Sequence, residues 1–144
     1  MSSPLSDHKL VALLDRLHAQ SDRQIAEIDE YCIQLEKKDD FDWRVFDDDM
    51  HRFFADKMVA LDRDKAEFCY QLCRALGASR VVEAGTSFGV STLYLAAAVR
   101  DNRVEDGLVS ATEWDPGKAA IARRNFSEAG LSEFVDLREG DLRQ

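Results

Sequence analysis

A chain of 144 residues with 45% apolar side chains is long enough for one ordinary domain, or for two small units that support each other, and too apolar to be disordered. Its formal net charge of −9, from 28 acidic and 19 basic side chains, argues against nucleic acid as the main partner, since phosphate binding is driven by clustered Lys and Arg. The first residues lack the apolar run of a signal peptide and no later segment stays apolar across a bilayer's thickness, so no membrane partner and a cytoplasmic location are expected.

From Ser6 to about Lys38 there is neither Gly nor Pro, and Leu10, Leu13, Leu14, Leu17, Ile25, Ile28, Cys32 and Leu35 recur at intervals that predict one long amphipathic helix. At 1.5 Å per residue it would reach roughly 50 Å, more than a compact unit needs, so part of its stripe is expected to pack outside its own unit. A second helix is expected from the carboxylates Asp47 to Asp49, which suit the free amides of a first turn, through the stripe Phe54, Met58, Leu61, Phe68, Leu72 and Leu76 to Gly77. Cys69 and Cys73 share a helix face, but no third Cys or His stands near them to complete a tetrahedral zinc site, and with Cys32 they read as ordinary thiols.

After Gly77 the period changes. Arg80 to Ala84 reads as a short buried strand, Val90 to Val99 as a helix, and Leu108 to Thr112 as a second strand. Pro116 to Ala129 follows as a helix with Pro in its first turn and Gly130 past its end, and Phe134 to Arg138 as a third strand. Strands alternating with helices mean parallel pairing through right-handed crossovers. The expected fold is therefore α/β: a helical lead-in over residues 1–78, then the first half of a Rossmann-like, doubly wound parallel sheet over 79–144, with three strands in the order 3-2-1.

The most informative stretch runs from Val81 to Thr92, strand to tight loop to helix. Gly85 and Gly89 permit a sharp turn and close approach of a ligand to the backbone of Thr86 and Ser87. The helix opening near Gly89 offers free amides, with the hydroxyls of Ser91 and Thr92, to a ligand anion. The glycine spacing lacks the third glycine of a dinucleotide fingerprint. A carboxylate at Glu83 would repel a pyrophosphate but attract a ligand amino group, which favours a zwitterionic nucleoside over NAD. Glu113, ending the second strand, is placed to accept both hydroxyls of a ribose. Trp114 offers a ring to an adenine face, and Asp141, after the third strand, an acceptor for its amino group. Each has a plainer reading: Glu83 paired with Arg80 or Arg138, Glu113 and Asp115 capping the next helix, Trp114 as rim packing.

On these residues the segment from Val81 to Leu142 resembles the first half of class I S-adenosylmethionine-dependent methyltransferases, and most closely the small-molecule O-methyltransferases of the catechol O-methyltransferase type. Glu83, Gly85 and Gly89 match that family's first motif, Ser91 a serine that holds the methionine carboxylate, Glu113 the ribose acid, and Gly140, Asp141 and Leu142 the adenine-side turn. The resemblance implies S-adenosylmethionine as cofactor and methyl transfer to a small-molecule acceptor in the complete enzyme. In these enzymes the acceptor, the base and any metal ligands come from the later half of the sheet, so no residue here is assigned a catalytic or metal-binding role. A chain that stops at Gln144, before a fourth strand, leaves the first strand as an apolar edge. The expectation is a fragment of a longer enzyme, or self-association as a homodimer or similar assembly that covers this edge with a second copy or with the long first helix. The alternative to an enzyme is a non-catalytic helical dimerisation module carrying a remnant Rossmann half; an NAD-dependent dehydrogenase is the weakest reading.

Overall fold

Aspartate carboxylates cap the starts of three helices in the computed structural model, which describes residues 5–141. Asp7 accepts from the Lys9 and Leu10 amides and opens α1 (His8–Glu36); Asp47 accepts from the Met50 amide and opens α2 (Asp48–Phe54). Helix α3 (Arg63–Ala75) leads to β1 (Arg80–Ala84), α4 (Val90–Asn102) and β2 (Leu108–Glu113). Asp115 then caps α5 (Pro116–Ala129), which Gly130 ends in the left-handed conformation before a short 3₁₀ turn and β3 (Val135–Glu139). Leu142, placed by the sequence in the adenine-side turn, lies outside the described residues.

The strands are parallel in the order β1-β2-β3, in register Val81–Val109–Val135 and Glu83–Ala111–Leu137, which is the expected 3-2-1 half of a doubly wound sheet. Alternation along a strand sends these residues to one face, which α4 and α5 cover. Helix α1 lies against α4 and α5, and its Leu10, Leu13, Leu14 and Leu17 share one apolar core with Val109, Ala111, Ala122 and Phe126. Beneath α1, the ring nitrogen Nε2 of His18 lies 3.1 Å from the Tyr94 hydroxyl. Burial, with Arg63 nearby, holds His18 below the usual imidazole range, and burial pushes the Tyr94 hydroxyl up to about 12. Among the described residues no helix is long and apolar enough to cross a membrane.

Three expectations are corrected. The second helix is not continuous: it breaks after Phe54 and resumes at Arg63, and beyond the Lys57 amide, which donates to the Phe54 carbonyl at 3.2 Å, the intervening backbone takes hydrogen bonds from α1. Gln24 and Ser21 bond the peptide groups of Asp56, Met58 and Ala60. The buried face of α3 is also not the predicted one. Ala66 and Tyr70 face α4, with the Tyr70 hydroxyl donating to Asp101 at 2.8 Å, and Phe68, Leu72 and Leu76 stay exposed. Finally, β1 is not a buried strand. Arg80, Val82 and Ala84 are exposed, Val82 at 83%, because this sheet face carries no covering helix among the described residues. Among the described residues no strand pairs with the outer edge of β1, and α1 packs on α4 and α5.

Candidate ligand-binding site

The carboxyl ends of the three strands converge on one rim. There the chain leaves β1 through Gly85 at φ +83°, Ser87 at φ +51° and Gly89 at φ +86°, all in the left-handed region. The two glycines serve different ends. A Cβ on Gly85 would meet nothing within 4 Å, so that position faces open space. A Cβ on Gly89 would lie 2.5 Å from Cε1 of Phe126 and 3.3 Å from Cβ of Ala122, so the absence of a side chain here lets α4 approach α5. The loop is fixed from outside by the Thr86 amide, which donates to the Thr112 carbonyl at 2.8 Å, and by Asn125, whose side-chain amide donates to the Phe88 carbonyl at 2.8 Å. Asn125 is a buried positioning residue on α5 that the sequence reading passed over.

Glu83 is held by hydroxyls. Its carboxylate accepts from Ser91 Oγ at 2.6 Å, from Thr86 Oγ1 at 3.1 Å and from Thr92 Oγ1. These bonds replace the ion pair with Arg80 or Arg138; Arg138 instead pairs with Asp136 at 2.9 Å. Ser91 in this arrangement orients Glu83. Glu113 is held by backbone: Oε2 accepts from the Ser87 amide at 2.6 Å and Oε1 from the Asp115 amide at 2.8 Å. Capping of α5 falls to Asp115 itself, through the Gly117 and Lys118 amides. A carboxylate oxygen has roughly two acceptor sites, so each Glu113 oxygen retains room for another donor. Lys118 lies close by, its ammonium 5.6 Å from the Phe88 ring centre; burial lowers its pKa, with Glu113 and Asp115 opposing.

Two clefts meet at this loop, and Gly85 lines both. One, of about 470 Å³, is bounded by Glu83, Ala84 and Ser91, by Leu95 of α4, by Ala66 and Cys69 of α3, and by residues 59–61. The other, of about 320 Å³, is bounded by Thr112, Glu113, Trp114, Gly140 and Asp141, with His51 of α2 on its far side. Of the residues nominated from sequence, Glu83, Gly85, Ser91, Glu113, Trp114 and Asp141 line these clefts, whereas Thr86, Ser87 and Gly89 form the loop behind them. Sequence reading missed the walls supplied by the lead-in. Residues 59–61 were hidden inside an apparent helix stripe, and His51, whose ring lies 4.6 Å from that of Trp114, carried no signal linking it to a tryptophan 63 positions away.

This rim, on a parallel sheet of this order, lies where open α/β sheets bind their ligands. Residues 45–144 match the O-methyltransferase family, and the chain belongs to that family. A catechol O-methyltransferase of Niastella koreensis is 32% identical over 82 residues, which are 57% of this chain and 35% of that protein. A catechol O-methyltransferase of Mycobacterium tuberculosis is 33% identical over 79 residues, 55% and 34% of the respective chains. The chain thus spans about a third of the length of these curated relatives. The crystal structure of the O-methyltransferase TomG from Streptomyces achromogenes, in complex with SAM, is similar at a TM-score of 0.55 and 30% identity, over 63% of this chain and 39% of that one. An O-methyltransferase from Bacillus cereus, in complex with SAH, shares the fold at a TM-score of 0.59 and 22% identity, over 96% and 46%.

Proposed function

We propose that this chain supplies the S-adenosylmethionine site of an O-methyltransferase that acts on a small molecule. The observation that carries this reading is the pair of strand-end carboxylates, Glu83 and Glu113, in adjoining clefts joined at an open Gly85. The ligand that suits them has an amino group at one end and vicinal hydroxyls at the other. Glu83, already oriented by three hydroxyls, is ready to accept from the ammonium. Glu113 keeps acceptor capacity for the ribose, and Trp114, 55% exposed, has ring surface for a base. The chemistry of the loop also fits. Ser87 Oγ is buried without a hydrogen-bond partner, an orphan of the kind that a bound polar ligand or water satisfies.

When bound, the cofactor supplies an electrophilic methyl group for in-line displacement by an acceptor oxygen. The residues of this chain contribute position and alignment, which shorten the search for the reactive geometry. Calorimetry with S-adenosylhomocysteine tests the reading. The chain is expected to bind it, and Glu113→Gln, which removes the charge that two hydroxyls would share, is expected to weaken binding about tenfold or more. No heat for the wild-type chain, or an unchanged affinity in the variant, would remove the reading.

A further inference from the structure

Helix α1 touches neither cleft, yet it holds one wall of the Glu83 cleft. The wall is the irregular segment of residues 59–61, between α2 and α3. Just before it, the side-chain amide of Gln24 grips two peptide groups at once: Nε2 donates to the Asp56 carbonyl at 3.0 Å, and Oε1 accepts from the Met58 amide at 2.7 Å. One helical turn back along α1, the Ser21 hydroxyl donates to the Met58 carbonyl at 2.7 Å and accepts from the Ala60 amide at 3.3 Å. Four backbone groups of the linker are thus satisfied by two side chains of α1. The Met58 side chain, buried to 2% exposure, pins the same point.

The wall itself is thin. Residues 59–61 line the Glu83 cleft and also a second groove, of about 520 Å³, that opens toward Asp15, Asp22 and Ile25 of α1. A segment with space on both sides takes its position from its anchors; here Lys57–Glu27 at 3.2 Å and Arg63–Asp15 at 2.8 Å tie its ends to α1, and Gln24 and Ser21, beside the buried Met58, are the anchors that hold its backbone groups.

We propose that Gln24 and Ser21 are positioning residues that fix the width of the cleft at its Glu83 end and so set the affinity for the amino-acid portion of the cofactor. The inference rests on the function proposed above. It separates the two ends of the site: the nucleoside end, built from Glu113, Trp114 and Asp141, does not touch the 59–61 wall.

The test is calorimetric titration of the full 144-residue chain with two probes, S-adenosylhomocysteine and adenosine, for the wild type, Gln24→Met and Ser21→Ala. Both substitutions leave backbone groups unpaired without changing charge, and are expected to weaken S-adenosylhomocysteine about fivefold while adenosine stays within about twofold. A loss that falls equally on both probes, or on neither, overturns the inference while leaving the proposed function standing. Failure of the wild-type chain to bind S-adenosylhomocysteine removes the proposed function and this inference with it. Should Gln24→Met fail to fold, Ser21→Ala carries the same comparison.

Discussion

The two faces of the sheet differ sharply. On one face Val109 and Ala111 are fully buried under α4 and α5; on the other Val82, a neighbour of Val81 in sequence, is 83% exposed. On α3, too, Phe68, Leu72 and Leu76 stay exposed, at 65%, 46% and 72%. The lesson is that binding geometry and burial separate in this chain. Hydrogen bonds fix the strand-end loop and both of its carboxylates, whereas among the described residues the strand that leads into it has one bare face and one bare edge. A ligand rim of this kind depends on the loop and on the covered face behind it, not on symmetrical burial of the strand.

Four substitutions, in two pairs, probe this contrast, the pair with the larger expected effect first. Gly89→Ala, which forces a Cβ into Phe126 and into a left-handed backbone, is expected to cost about 3 kcal/mol, a large part of a domain's stability; Gly85→Ala, strained but unobstructed, is expected to cost only about 1 kcal/mol. Urea unfolding of the two variants measures the gap, and equal losses would mean that α4 does not pack against α5 as described. Val109→Ala on the covered face is expected to cost about 2 kcal/mol through its cavity. The same truncation at Val82 is expected to change stability by less than about 0.5 kcal/mol, since the side chain is already in water. A comparable loss at Val82 would show that its face is covered in solution.

Much of the rim was readable in sequence because its signals are local. A β-strand followed by Gly85, a left-handed loop and a helix start within ten residues needs no distant partner, and Glu113 ends its strand directly before the Asp115 cap. The failures are all long-range. The break after Phe54 depends on Gln24 and Ser21, more than thirty residues earlier, and a periodicity that counts only apolar side chains cannot register hydrogen bonds offered by another helix. The orientation of α3 was misread because its larger apolar residues, Phe68, Leu72 and Leu76, outweighed the small Ala66 and the amphipathic Tyr70, which is buried with its hydroxyl on Asp101 and pushed up to about 12 by that burial. The close approach of Gly89 to Phe126 and Ala122 was equally hidden, because a glycine needed for helix contact and one needed for a turn leave the same mark in sequence. Assignment of Glu83 to a ligand amine remains the proposal; what sequence could not show is that Ser91, Thr86 and Thr92 already orient it.

The central claim is that Glu83 and Glu113 bracket one nucleoside that carries an amino acid. Titration of ¹⁵N-labelled chain with S-adenosylhomocysteine, followed by amide spectra, tests it residue by residue. Shifts are expected at Gly85, Ser87, Ser91 and Gly140 and at the Trp114 indole, with Val82 and Phe68 unmoved. Shifts confined to the groove around Asp22 and Ile25, or absent from the Gly85 loop, would contradict it.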